Sequence, residues 1–257
     1  MTHRPRKRFG QNFLHDPGVI DRIVRAIDPQ PGQRLVEIGP GLGALTGPLL
    51  QAIKQMDAIE LDRDLVPKLA DRFGERLHLH NADALKFDFG QLAREHRLRV
   101  VGNLPYNIST PLIFHLLEQA QYVQDMHFML QKEVVDRLAA SPGGGDYGRL
   151  SVMVQQRCRV EHLFNVPPGA FHPPPKVVSA IVRLLPYETP PVPVAEPALF
   201  ARIVAKAFSQ RRKTLRNTLK GELDAESIQT CGIDPTRRAE TLSIEEFGCL
   251  AAAAGQG

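Results

Sequence analysis

The chain has 257 residues, 43% of them hydrophobic, which allows one large domain or a large and a small one around packed cores. It has no apolar run approaching the ~18 residues of a membrane span and no apolar segment of the secretory-signal kind behind its basic start. Three widely spaced cysteines (Cys158, Cys231, Cys249) suggest neither a disulfide framework nor a zinc site and fit a reducing cytoplasm, while the net charge of +4 hides an uneven distribution.

Arg4, Arg6, Lys7 and Arg8 open the chain without an acid among them. Residues 198–221 hold Arg202, Lys206, Arg211, Arg212, Lys213, Arg216 and Lys220, again without an acid. Two cationic segments flanking a more acidic body point to a polyanionic partner, most simply nucleic acid. Asp16 and Pro17 form a helix start, and Val19, Ile20, Ile23, Val24 and Ile27 give the helix one apolar stripe. Pro29, Pro31 and Gly32 break it.

Leu35–Ile38 suits a short buried strand, followed by Gly39, Gly41 and Gly43 and by a helical pattern over Ala44–Lys54. Without Cβ atoms the backbone at Gly39 and Gly41 can turn sharply and approach a ligand. The next strand, Ala58–Asp62, carries Glu60 about 20 positions on, where a carboxylate accepts hydrogen bonds from ribose hydroxyls. The loop is not the dinucleotide G-x-G-x-x-G form and requires no pyrophosphate. That demotes a nicotinamide cofactor and puts S-adenosylmethionine first.

Leu65–Phe73 reads as a helix and Leu77–Leu79 as a strand, with His78 and His80 on an exposed face rather than as metal ligands; no metal is expected. Asp83 follows, either as an acceptor for an adenine amine or as a helix cap. Arg99–Gly102 is a further strand that delivers Asn103-Leu104-Pro105-Tyr106. Ile113, Leu116 and Leu117 mark a helix, Met126–Leu130 a strand and Lys132–Ala140 a helix. Residues 141–148 are a glycine-rich surface loop. Leu150–Val160 and Val177–Leu185 read as sheet elements, the first with a helical alternative. Three prolines, Pro173 to Pro175, hold the intervening segment extended. A proline-rich linker over 186–197 leads into a helical pattern with Ile203, Val204, Ala207, Phe208, Leu215 and Leu219.

Alternating strands and helices over residues 33–130 imply an α/β fold with a doubly wound, mostly parallel sheet. On it, the turn after the fourth strand sits beside the cofactor. An exocyclic adenine amine is a poor nucleophile because its lone pair is delocalised into the ring. The Asn103 side-chain oxygen and the Leu104 carbonyl can accept hydrogen bonds from it, Pro105 can fix the turn, and Tyr106 can stack on the base. The expected boundaries are 1–190 for a Rossmann-like methyltransferase domain with its basic arm and 191–257 for a small all-α domain.

Gln11–Leu14, Glu37–Gly43, Glu60, Asp83, Asn103–Tyr106 and Phe171-x-Pro-x-Pro-x-Val-x-Ser179 occur in this order. Together they resemble the ribosomal RNA adenine N6-dimethyltransferases, most closely their bacterial small-subunit branch, across nearly the whole chain. The resemblance implies that Asn12 and Leu14 close over the cofactor, that the Gly39 backbone touches it, and that Glu60 and Asp83 hold its ribose and adenine. It implies that Asn103 binds both cofactor and target, and that Tyr106 and Phe171 sandwich the target adenine. It further implies a product of two adjacent dimethyladenosines near the 3′ end of 16S rRNA. The substrate would be the immature small subunit, met by a cytoplasmic monomer without membrane contact. Arg6, Lys7, Arg8, Arg211, Arg212 and Lys213 would then face RNA. The alternatives are a large-subunit rRNA methylase of the resistance type, a non-catalytic nucleic-acid-binding factor and, more remotely, a dehydrogenase.

Overall fold

The computed structural model describes residues 12–93 and 95–255, so Arg6, Lys7 and Arg8 lie outside the described residues. After strand β1 (Phe13–Leu14), helix α1 (Pro17–Ile27) starts where Asp16 accepts the Val19 amide at 2.9 Å. Its capping carboxylate and the fixed φ of Pro17 satisfy and shape the first turn. Then follow β2 (Arg34–Ile38), α2 (Thr46–Ala52), β3 (Met56–Ile59), α3 (Val66–Phe73), β4 (Leu77–His80), β5 (Leu98–Asn103), α4 (Ser109–Glu118) and β6 (Val123–Gln131). After α5 (Lys132–Ala139) come α6 (Arg149–Gln155), β7 (Cys158–Val166), β8 (Phe171–His172) and β9 (Ser179–Pro186).

The seven-stranded sheet has the order β4-β3-β2-β5-β6-β9-β7. Neighbours from β4 to β6 are parallel, and β9 runs antiparallel to β6. The chain winds outward from β2 through β3 to β4, then returns to the other side of β2 as β5. That reversal opens a crevice at the carboxyl ends of β2 and β5, the place where such sheets bind ligands. Leu35 and Glu37 point to the same face of β2, by the two-residue strand period. Leu35 packs there with Ile23 and Ile27 of α1, Leu49 and Leu50 of α2 and Leu69 of α3. Each such buried side chain stabilises the fold by roughly 1.5–3 kcal/mol.

Opposite the crevice, at the amino end of β5, Arg99 makes two 2.9 Å hydrogen bonds to Asp125. It also donates to the Ile27 and Asp28 carbonyls at the end of α1, at 2.6 and 3.1 Å. One buried guanidinium thus ties the helix to the sheet and satisfies carbonyls the helix leaves open. His127 is buried beside it. Loss of hydration holds this imidazole down at about 4, helped by Arg99 and Arg183 and opposed by Asp125.

The chain divides into two units, one of residues 12–135 with 161–186, the other of 136–160 with 187–255. A single cut near residue 190 does not describe this division, because Tyr147 and Val152 belong to the second hydrophobic core. Around them pack α7 (Pro197–Ala207), α8 (Leu215–Thr218), α9 (Ala225–Thr230) and α10 (Ile244–Ala254), through Phe200, Ile203, Leu215, Ile228 and Phe247. Ser243 and Glu246 form a reciprocal cap at the start of α10, at 3.2 and 2.7 Å. Two sequence expectations need correction here. Leu150–Val160 is a helix to Gln155 and a strand only from Cys158. Cys231 and Cys249 form a disulfide with their Cα atoms 5.7 Å apart, since the end of α9 meets α10. Among the described residues no helix is long and apolar enough to cross a membrane.

Candidate active site

The crevice is a cleft of about 190 Å³ built by the segments that follow β2, β3, β4 and β5, with β1 alongside. After Ile38 the chain turns through Gly39 and Gly41 at φ 66° and 59°, left-handed conformations that side chains with a Cβ rarely adopt. The Gly39 amide donates to the Ile59 carbonyl at 2.9 Å, and the Gly41 amide to Glu60 Oε2 at 3.2 Å. Glu60 Oε1 accepts the Asp62 amide at 2.8 Å. Two backbone amides therefore aim this carboxylate at the cleft. Burial raises its pKa, and those hydrogen bonds oppose the rise.

Asp83 also lines the cleft. Its side chain accepts the Leu85 amide at 3.0 Å, so it caps its own turn and faces the ligand space at once. The helix that it was offered as capping is not formed: a turn follows instead, and the place of Asp83 in the lining leaves it open to a ligand.

Asn103 stands at the end of β5. Its amide nitrogen donates to the Asn12 carbonyl at 3.0 Å, which turns its oxygen into the acceptor end. Gly102 precedes it because the strands approach closely there: a Cβ at 102 would lie 2.6 Å from the Ile38 carbonyl oxygen. The Leu104 amide donates to the Met129 carbonyl at 3.2 Å, and the Ser109 hydroxyl to the Tyr106 carbonyl at 3.1 Å. Tyr106 OH is 2.9 Å from the hydroxyl of Ser179, a fully buried residue. The last residue of the Phe171–Ser179 motif thus orients the tyrosine ring.

Asn12, Leu14, Gly39, Gly41, Glu60, Asp83, Asn103, Leu104 and Tyr106 all border this one cleft. Phe171 does not. It is 3% exposed, pairs across from Leu14 and packs with Leu14 and Ala170 in the core. The ring expected against the target base is thus buried beside Leu14 in this structure, with its strand paired to β1. Arg211, Arg212 and Lys213 lie exposed in the second unit, with Arg211 donating to the Gly145 carbonyl at 2.9 Å.

Glu37 is a cleft residue whose role the sequence motifs do not indicate. It is 2% exposed and accepts the Thr46 hydroxyl at 2.6 Å. Burial pushes its carboxyl up to about 7, the Thr46 hydrogen bond works against this, and the Glu60 charge adds to it. Leu42 and Leu61 also line the cleft as exposed apolar residues, 41% and 51%. Large apolar residues in turns directly after strands were their signal. Among the described residues the lining carries Glu37, Glu60 and Asp83 but no lysine, arginine or histidine. Such a lining disfavours a phosphate-bearing ligand and suits a cationic one.

Comparison with known proteins agrees with this geometry. The family model described as ribosomal RNA adenine dimethylase matches residues 2–254. A relative from Pseudomonas aeruginosa, "Ribosomal RNA small subunit methyltransferase A", is 65% identical over 97% of this chain and 94% of its own length. The crystal structure of a dimethyladenosine transferase from Plasmodium falciparum superposes with a TM-score of 0.77 at 27% identity, covering 93% of this chain and 95% of that one. The 23S rRNA methyltransferase ErmE superposes with a TM-score of 0.75 at 25% identity, covering 95% and 100%. The chain therefore belongs to the ribosomal RNA adenine dimethylase family.

Proposed function

We propose that this protein dimethylates the N6 atoms of two adjacent adenosines near the 3′ end of 16S rRNA, in the immature small ribosomal subunit, as a cytoplasmic monomer. The observation that carries the reading is the shared cleft: Asn103 borders the same space as Gly39, Glu60 and Asp83. When bound, S-adenosylmethionine supplies a methyl group on a sulfonium, and its positive charge suits the acidic lining. Glu60 holds the ribose, Asp83 the adenine amine, the Gly39–Gly41 turn admits the ligand closely, and Asn12 with Leu14 covers it.

On the target side, the Asn103 oxygen and the Leu104 carbonyl accept the two hydrogens of the adenine amine. This weakens conjugation with the ring, aims the lone pair and stabilises positive charge developing on nitrogen. Tyr106 stacks on the base, worth roughly 1–3 kcal/mol, and its electron-rich face favours the same charge. A general base of tuned pKa is not needed, since the leaving group is a neutral thioether and the amine proton can pass to solvent.

The large-subunit reading is less favoured: the relative at 65% identity is named for the small subunit, whereas the named 23S enzyme stands at 25%. Nucleotide mapping after incubation with immature small subunits tests the choice. Two adjacent dimethyladenosines near the 16S 3′ end are expected. Modification of naked large-subunit RNA, with none on small subunits, would reverse the assignment.

A further inference from the structure

Residues 173–178 bridge two points fixed to the cleft wall. At one end β8 pairs with β1, Phe171 opposite Leu14 and His172 opposite Phe13, and both β1 residues line the cleft. At the other end the Val178 carbonyl accepts the Lys132 amide at 2.9 Å, and Ser179 meets the Tyr106 hydroxyl. Pro173, Pro174 and Pro175 restrict the backbone between these anchors. The loop is therefore a stiff rim one residue away from the hydroxyl contact that orients Tyr106.

What this rim presents is unusual. Val177 is 43% exposed and Val178 39%, beside an exposed Lys176. Among the described residues of the first unit the other large hydrophobics exposed to this degree are Leu42 and Leu61, both in the cleft. Phe171, the aromatic residue of the same segment, is turned into the core. Two β-branched side chains on a stiff backbone lose little freedom on binding, and apolar side chains of this kind insert between bases where a stack is opened. The neighbouring lysine suits the phosphates of the same strand.

We propose that Val177 and Val178 form an apolar wedge that enters the target RNA loop and occupies the place vacated by the adenine held against Tyr106. The proposal rests on the adenine-methylating function above.

The test uses the full chain and immature small subunits carrying 2-aminopurine in place of one target adenine. This base has no N6 amine and brightens when it leaves its stack. The parent protein should raise its emission several-fold. The V177S/V178S variant should give less than a third of that rise and a kcat/KM on unmodified subunits at least tenfold lower, with calorimetric cofactor affinity within twofold of the parent. The V177L/V178L variant, which keeps the wedge apolar, should retain the rise. A parental rise from the serine pair overturns the proposal. So does weaker subunit binding with an unchanged rise per bound enzyme, which would make the pair a docking contact. A parent protein that binds cofactor but does not methylate small subunits would instead remove the functional reading, and the wedge with it.

Discussion

Tyr106 and Phe171 are both aromatic, yet the structure gives them different work. Tyr106 borders the cleft and is oriented by Ser179, while Phe171 fills the core behind Leu14. Replacing Tyr106 with Ala should lower methyl transfer at least tenfold and leave calorimetric cofactor affinity nearly unchanged. Replacing Phe171 with Ala should cost about 3–5 kcal/mol in urea unfolding, the range for a large core truncation. Equal stability of the two variants would count against this division. Glu37 carries a second residue-scale expectation. Its folded value of about 7 lies above its ordinary 4.5, so its contribution to stability is fully present below 4.5 and is lost as pH rises through 7. By linkage, ionising it costs on the order of 3 kcal/mol. Glu37→Gln should therefore stabilise the protein at pH 8 and give little gain at pH 4.5, as read by urea unfolding at both pH values. A gain independent of pH would contradict an ionising carboxyl at this position.

At the scale of elements, the β2 turn and the β5 turn meet because the strands are neighbours in parallel register, Val36 opposite Val100 and Glu37 opposite Val101. Gly102 is where this packing is tightest. Gly102→Ala places a Cβ against the backbone of Ile38, which cannot swing aside as a side chain would. A loss of about 1–3 kcal/mol in unfolding free energy is expected, the usual cost of overpacking, with a larger loss of activity as Asn103 shifts. The parallel core, the α1 cap and the glycine turn were all legible in the sequence, since each rests on a local pattern: buried β-branched runs, Asp-Pro, alternating glycines. What was not legible depends on distant partners. The ribbon of β1 with β8 has two residues on each side and no periodicity to read. In Leu150–Val160 the spacing of Leu150, Val152 and Val154 suits a strand as well as a helix, so the polar run Gln155-Gln156-Arg157 was not read as the break between α6 and β7. The Cys231–Cys249 disulfide depends on how α9 meets α10, which a separation of 18 residues does not reveal. Phe171 belonged to a correctly recognised motif, but only the tertiary ribbon decides which way its ring points.

For the molecule as a whole, charge is unevenly distributed. The cleft of the first unit is acidic, fitting a cationic cofactor, while the second unit carries Arg211, Arg212 and Lys213 on exposed loop positions. Neutralising those three residues should weaken binding to small subunits and flatten its salt dependence by up to about 3 in log–log slope, one for each phosphate they neutralise. Parental slopes in the triple variant would assign these cations to a solvated surface. We take the Asn103 oxygen and the Leu104 carbonyl to receive the target amine in the cleft that holds the cofactor. Single-turnover methyl transfer to small subunits by Asn103→Ala, alongside cofactor calorimetry, tests it most directly. Transfer should fall at least ~100-fold, as for loss of one preorganised group at a site of developing charge, while cofactor affinity falls less than ~10-fold. A transfer rate near the parent's, with cofactor bound, would show that the amine is activated elsewhere.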